Sequence, residues 1–450
     1  MKPVRLSAIA AVVLLALVVF GPIVGAMTAQ PESRMGLTAA VAEHHTIDTS
    51  RYRHGIDYAR YQGKLRSDKA PGQPLLAVPF YAAARAVGAE SEAHLHVFGD
   101  LTLWWVTFWS ALVPFLVLVV LMYRFATKYV SRYALVATVA IGFGTILLPH
   151  AISLYGHDLA AALGFGAWYV ADRPKGMSGW RLVAVGALLG AAVAVEYDAA
   201  VLFGVIFIAV ALRERWRAWL VALGALPFAS VVGVYQWRAF GSPLHTPFAY
   251  YAGVLGGTSR GGYTLPGARN INDVFVGTRG LLWVSPIILL ALGAAIWMAR
   301  TTTGELRRHA LVALAISAGF IVLSAGWSGT PFLEEPGPRY MIPAFAFLAL
   351  PLALAWPKIS RVATLCAIWG FVVMTLASLT FLLIPEGDTP IAYFRYAWHH
   401  EFQGTLWSVA FGSFGIVVYL LTIVAAGALV SRAVRRPTNE QVFASVPTAG

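Results

Sequence analysis

Apolar runs of roughly 20 residues recur along the chain, divided by short polar segments. In order they are Leu6–Met27, Leu101–Tyr123, Tyr133–Leu154, Leu159–Val170, Leu182–Val195, Ala199–Leu212, Ala218–Trp237, Gly280–Met298, Ala310–Trp327, Tyr340–Trp356, Val362–Leu383 and Leu406–Val430. Runs of this length suit helices that cross a bilayer, so the pattern predicts an all-α, polytopic transmembrane bundle of about 12 spans. Leu159–Val170, Leu182–Val195 and Ala199–Leu212 are short and are expected to be tilted or broken. The alternating segments of an outer-membrane barrel are absent. One polar stretch is long, Thr28–Gly99. Within it Leu75–Val87 alternates apolar and small residues at near-helical spacing but is too short to span, which fits a helix lying in the membrane interface. No internal repeat is visible, and this counts against a repeat-built transporter.

Composition agrees with that pattern. Of 450 residues, 58% are hydrophobic and 12% charged, against about 25% charged in a soluble chain. The net charge of +12 is scattered over loops, so nucleic acid is not an expected partner. Cys366 is the sole cysteine, which excludes an intrachain disulfide and a cysteine metal cage.

The scatter of bases sets an expected orientation. Lys2 and Arg5; Arg124, Lys128 and Arg132; Arg173, Lys175 and Arg181; Arg213, Arg215 and Arg217; Arg300, Arg307 and Arg308; Lys358 and Arg361; and Arg432, Arg435 and Arg436 fall in alternate short segments. By the positive-inside rule these are cytoplasmic, with both termini. The basic start and apolar Leu6–Met27 read as an uncleaved first span, because Gly25-Ala26-Met27-Thr28 makes a poor cleavage site. The expected organisation is one transmembrane domain over 1–436, a first extracytoplasmic loop over 28–99, and a disordered cytoplasmic tail over 437–450, in the plasma membrane.

Four polar clusters then face outward. The first is Asp48–Arg85, with acids Asp48, Asp57 and Asp68 among bases Arg51, Arg53, Arg60, Lys64, Arg66, Lys69 and Arg85. The others are Tyr155-Gly156-His157-Asp158, Glu196-Tyr197-Asp198, and the segments Trp237–Arg279 and Gly326–Arg339. Ionisable groups at membrane depth are costly, so several on one face suggest a shared polar cavity. In it, carboxylates serve as bases and surplus cations hold phosphate. Plainer readings stand beside this one. Asp48 pairs with Arg51 or Arg53, Asp158 caps a helix, and Arg339 anchors at the interface. Adjacent His44-His45 and His399-His400 are poor metal ligands, and no metal is expected. There is no Walker motif, GxGxxG or nucleophile elbow.

These residues resemble the GT-C superfamily of membrane glycosyltransferases, in the branch of protein O-mannosyltransferases and the lipid A aminoarabinose transferase. Asp48-Thr-Ser-Arg51-Tyr52 looks like that branch's early acidic motif. Ser67-Asp68-Lys69-Ala70-Pro71-Gly72 looks like the element that opens its interfacial helix. Tyr155-Gly156-His157-Asp158-Leu-Ala-Ala-Ala is similar to a Gly-His-Ala-Leu-Ala-Ala pattern, with Asp158 in place of Ala. Phe240-Gly241-Ser242-Pro243-Leu244, Gly280-Leu281-Leu282 with Ser285-Pro286, and Gly337-Pro338-Arg339-Tyr340 complete the likeness, which runs from Asp48 to Pro343. The resemblance implies an inverting transfer of a sugar from a polyprenyl-phosphate donor to a hydroxyl on a glycan, lipid or protein, with no cofactor. It implies Asp48 as base, with Asp57 second, and Lys69, Arg51 and Arg339 at the phosphate. Tyr52, Asp68, His157, Asp158, Glu196 and Tyr340 are expected around the substrates. A secondary transporter or lipid flippase, and a non-catalytic envelope scaffold, are the rival readings.

Overall fold

The computed structural model describes residues 7–52, 57–92, 99–173, 176–251, 265–327, 335–385 and 387–434. Lys2, Arg5, Arg53, Lys175, Arg435, Arg436 and the tail 437–450 lie outside them.

Ser7 caps α1 (Ala8–Phe20), accepting from the Ala10 amide at 3.3 Å. The long polar segment holds α2 (Ala29–His44) and α3 (Gly72–Ala86). A continuous helix follows, α4 (Leu101–Thr107), a π turn at Phe108–Leu112 and α5 (Val113–Thr127). Then come α6 (Ser131–Phe143), α7 (Leu147–Ala151), α8 (His157–Ala171), α9 (Gly179–Val195), α10 (Ala200–Glu214) and α11 (Trp219–Phe240). Next are α12 (Ala268–Val276), α13 (Leu281–Val284), α14 (Pro286–Thr301), α15 (Gly304–Gly326), α16 (Ile342–Phe345) and α17 (Ala349–Leu379). The chain closes with α18 (Ala392–Trp398), α19 (Leu406–Phe411) and α20 (Gly415–Val434). Two compact units result. Met1–Pro22 with Thr405–Gly450 form one, in which α1 packs on α20 and the Tyr419 hydroxyl donates to the Val19 carbonyl. Ile23–Gly404 form the other.

Every expected apolar run is helical over most of its length, but the helices break more often than the runs suggest. Among the described residues five helical stretches are long and apolar enough to cross a membrane, six if a bent pair counts as one. Two of the five are double length. Tyr197–Phe240 turns at Arg215, which has φ +55°, and Arg339–Leu379 kinks at Ile359 just past Pro357. The bent pair turns by 108° at Ser285, where Pro286 opens the second helix. Proline cannot donate in a helix interior, so it falls naturally at such starts and kinks. Helices α1, α6 and α9 are apolar but under 18 residues.

The polar segment 28–92 is no loose loop. Gln30, Ser33, Arg34 and Thr38 form a polar stripe at helical spacing on α2, all buried. The Thr38 hydroxyl reaches the carbonyls of Arg34 (2.9 Å) and Pro74 (3.1 Å), joining α2 to α3. A core of Met35, Ala39, Tyr52, Ala77, Tyr81 and Leu103 seals the pair against α4. Two short strands, Ala59–Tyr61 and Lys64–Arg66, pair antiparallel. Gln62 and Gly63 between them both have positive φ, the backbone that a two-residue hairpin turn requires. A second core of Leu37, Ala59, Tyr235 and Phe240 fixes the hairpin to the end of α11.

Candidate active site

Two glycines bring the polar segment onto the helix ends. A Cβ on Gly72 would lie 2.5 Å from the Ala194 carbonyl, so the start of α3 runs directly against the end of α9. A Cβ on Gly156 would lie 2.4 Å from Glu196 Oε1, so the Glu196 side chain lies directly over the start of α8. Gln73, fully buried, ties the two together by donating to the carbonyls of Tyr155 (2.9 Å) and Ser110 (3.2 Å). Ser110 sits in the π turn, whose irregular ladder leaves a carbonyl free.

The result is a cavity of about 90 Å³ inside Ile23–Gly404. Asp57, Asp68, Glu196 and Asp198 line it, with Lys69, His157 and Arg339. Lys69 Nζ donates to Asp57 Oδ2 (2.9 Å) and Asp68 Oδ2 (2.8 Å). Tyr251 donates to Asp57 Oδ1 (2.9 Å), and Ser33 to Asp68 Oδ1 (2.8 Å). The Gln30 amide oxygen, oriented to satisfy its neighbours, accepts from Lys69 Nζ (3.0 Å) and Arg339 Nη2 (3.3 Å), so two cations converge on it. Arg34 holds Glu196 Oε1 at 2.5 Å. Arg339 donates to Glu335 Oε1 (2.6 Å), which also accepts from Tyr155 (2.8 Å). Phe248, Tyr251, Trp327 and Tyr340 add an aromatic wall, with Trp327 5.8 Å from Tyr340 and 5.9 Å from Phe248, centroid to centroid.

The two carboxyls that share Lys69 are driven apart. Burial raises Asp57, but the Lys69 ammonium and the Tyr251 hydroxyl outweigh it and hold Asp57 below the usual carboxylate range. Burial dominates at Asp68 and, with the charge of Asp57 beside it, leaves that carboxyl above its usual range. Burial lowers the Lys69 ammonium, yet Asp57 and Asp68 raise it overall, so it stays charged. Two adjacent carboxyls whose surroundings push them in opposite directions are an acid–base arrangement.

Of the residues singled out from sequence, Asp57, Asp68, Lys69, His157, Glu196, Arg339 and Tyr340 meet in this cavity. Asp48, Arg51 and Tyr52 are not among its lining residues. Asp48 accepts from the Ser50 amide (3.1 Å) and hydroxyl (2.6 Å) and pairs with Arg66 (3.5 Å) and Lys64 (3.7 Å), rather than with its near neighbour Arg51. Arg51 is exposed beside His44, and Tyr52 is a core residue donating to Glu43 at 3.1 Å. Asp158 is buried in α8, and neither carboxyl oxygen has a hydrogen-bond partner among the described residues. Sequence reading missed Gln30, Arg34, Tyr251 and Glu335. The stripe Gln30, Ser33, Arg34, Thr38 was a readable signal, as was Glu335 one helical turn before Arg339.

No protein-family model matches the chain, and no curated protein matches it in sequence. Solved structures do match its fold. ArnT from Cupriavidus metallidurans bound to undecaprenyl phosphate superposes with a TM-score of 0.51 at 14% identity, over 94% of this chain and 71% of that one. The Archaeoglobus fulgidus oligosaccharyltransferase in its apo form gives 0.46 at 12% identity, over 96% of this chain and 56% of that one. The arabinosyltransferase EmbB from Mycobacterium smegmatis gives 0.44 at 14%, over 95% and 40%. The chain thus shares the fold of the ArnT structure, at an identity that speaks for the fold alone.

Proposed function

We propose that the protein is an integral-membrane glycosyltransferase that moves a sugar from a polyprenyl-phosphate carrier to a hydroxyl of a glycan, lipid or protein. The observation that carries this reading is the cavity. Lys69 and Arg339 converge within hydrogen-bond reach of one amide oxygen, beside the ionised Asp57. That is a cradle for a phosphate next to a base. It lies in a fold shared with ArnT, whose structure contains undecaprenyl phosphate.

The acceptor oxygen attacks the anomeric carbon as the bond from that carbon to the phosphate oxygen breaks. The electron pair leaves with the polyprenyl phosphate, whose charge rises by one. Lys69 and Arg339 stabilise that developing charge. Asp57 takes the acceptor's proton, and a single displacement inverts the anomeric centre. The aromatic wall suits the apolar face of a sugar ring. Geometry favours Asp57 over Asp48 as the base, since Asp48 is committed to Ser50 and Arg66.

Purified protein given a synthetic polyprenyl-phosphate sugar and a soluble acceptor should release polyprenyl phosphate. Absence of product, with proton-coupled uptake in vesicles instead, would favour a transporter. The cavity is assigned to the extracytoplasmic side. A cysteine at Thr46 should then react with an impermeant thiol reagent in intact cells, and one at Ser178 should not. The opposite labelling would remove the extracytoplasmic acceptor.

A further inference from the structure

Four carboxyls line the cavity with the cations Lys69 and Arg339, and Arg34 stands behind Glu196. Lys69 serves Asp57 and Asp68, and Arg34 serves Glu196, which leaves one corner of the cavity without a donor. His157 Nδ1 stands 3.9 Å from Glu196 Oε1 and 4.0 Å from Asp198 Oδ2. These gaps are too long for hydrogen bonds. His157 is 2% exposed and Asp198 9%. Neither the Nδ1 of His157 nor either carboxylate oxygen of Asp198 has a hydrogen-bond partner among the described residues. The Ala199 amide, which also faces Asp198, makes its hydrogen bond to the Glu196 carbonyl at 3.0 Å. Buried, unpartnered polar groups cost free energy unless something occupies the space between them.

We propose that His157, Glu196 and Asp198 bind a first-row divalent cation of the Mn²⁺ or Zn²⁺ class. One ligand atom from each lies within 4.8 Å of the others. Atoms sharing an ion at about 2.0–2.2 Å in tetrahedral geometry stand about 3.3–3.6 Å apart, so the 3.9 and 4.0 Å gaps close with side-chain shifts of about half an ångström. One imidazole and two carboxylates suit Mn²⁺ or Zn²⁺, and three protein ligands leave positions open. The ligands come from fixed places, the first residue of α8 and the tight turn Tyr197–Ala199. Arg34 donates to Glu196 Oε1 and fixes that side chain, acting as the outer donor that orients a ligating carboxylate. A dication here adds positive charge beside Lys69 and Arg339 and presents open positions to a phosphate oxygen. That last role rests on the glycosyltransferase reading; the binding itself does not.

The test uses full-length protein in detergent, stripped with a chelator and titrated with Mn²⁺ followed by electron paramagnetic resonance. A single saturable site is expected, displaced by Zn²⁺. His157→Ala and Asp198→Asn should each weaken it by about tenfold or more. Asp388→Asn, at an exposed ion pair with Arg395, should leave it unchanged. Gel filtration and melting curves confirm that the variants fold, and Glu196→Gln stands in for either that does not. No saturable Mn²⁺ or Zn²⁺ binding, or binding untouched by the ligand variants, overturns the site. Metal binding without glycosyl transfer would leave the site standing and remove only the proposed reaction.

Discussion

Helix α8 has a buried acid near each end, and the two ends treat acids differently. At its C-terminal end Asp172 is saturated. Lys128 approaches at 3.2 Å, Arg308 and His309 at 3.3 Å, and the Tyr129 hydroxyl lies 3.1 Å from both carboxylate oxygens. Burial raises this carboxyl, but His309 and Lys128 overcome it and hold it far below the usual range. At the N-terminal end the donors go to Asp57, Asp68 and Glu196, and neither oxygen of Asp198 has a hydrogen-bond partner among the described residues. A carboxylate ringed by donors ties α5, α8 and α15 together and has nothing left to offer a ligand. Acids left short of donors in a cavity keep their valences for one.

The contrast is sharpest at Asp57. Asp57→Asn removes the base and keeps its shape, so turnover should fall by about a hundredfold or more, with donor binding largely kept. Lys69→Ala should follow, weakening use of the donor by roughly ten- to a hundredfold, the worth of a charged hydrogen bond to phosphate. Steady-state kinetics with donor and acceptor varied separately checks both. Loss of acceptor affinity alone in the Lys69 variant would move the phosphate elsewhere. Asp172→Asn should do the reverse of these two. It leaves the cavity intact and lowers stability by about 1–2 kcal/mol, discounted because Lys128 and Arg308 keep about 30% contact with solvent. Thermal unfolding in detergent would show this. A folded Asp172 variant with wild-type melting but lost turnover would dissolve the distinction between the two ends.

The pH dependence tests the same contrast within the cavity. Asp57 is depressed and Asp68 raised. A base works deprotonated, so turnover through Asp57 should persist as pH falls and fail only beneath the ordinary carboxylate range. An acidic limb above that range would point to Asp68. Stability has the same sign. The folded-state value of Asp57 lies below its unfolded one, so its contribution is present above the unfolded value and lost as pH falls through the folded one. Turnover must therefore be read at pH values where melting is unchanged.

Much of this was legible in the sequence. The apolar runs marked the helices because a segment that meets lipid on its sides must be apolar along its length. His157, Glu196 and Arg339 stood out because charge inside such runs is rare. What could not be read was which acid of the polar segment turns inward. Asp48 and Asp57 are nine positions apart in similar company. The hairpin decides between them, since the Leu65 amide donates to Ser50 Oγ at 3.0 Å and its carbonyl accepts from the Thr49 amide at 3.1 Å. That pairing brings Arg66 to Asp48 and carries Lys69 onward to Asp57. Arg34 was hidden for a related reason. A helix with little net apolarity reads as a loop until the neighbour that buries its polar stripe is known.

The smallest effect is expected at Asp48, and it bears most directly on the choice of base. Its side chain is 25% exposed, and its pairs with Lys64 and Arg66 are long at 3.7 and 3.5 Å. Slight burial raises the carboxyl, and the Ser50 hydroxyl and amide, followed by Arg66 and Lys64, bring it below its usual value. Most of that hold comes from local hydrogen bonds around Ser50, and the amide oxygen of asparagine accepts those equally well. Asp48→Asn should therefore cost less than about 1 kcal/mol of stability, the scale of an exposed ion pair. Turnover should stay within a few-fold of the parent, because no group in the cavity loses a partner. Lys64→Ala should be milder still, since its side chain is 60% exposed. A hundredfold loss of turnover in Asp48→Asn, with melting and donor affinity unchanged, would restore Asp48 as the base. The segment 48–57 would then have to rearrange when substrate binds, and Asp57 would be left as the residue that positions Lys69.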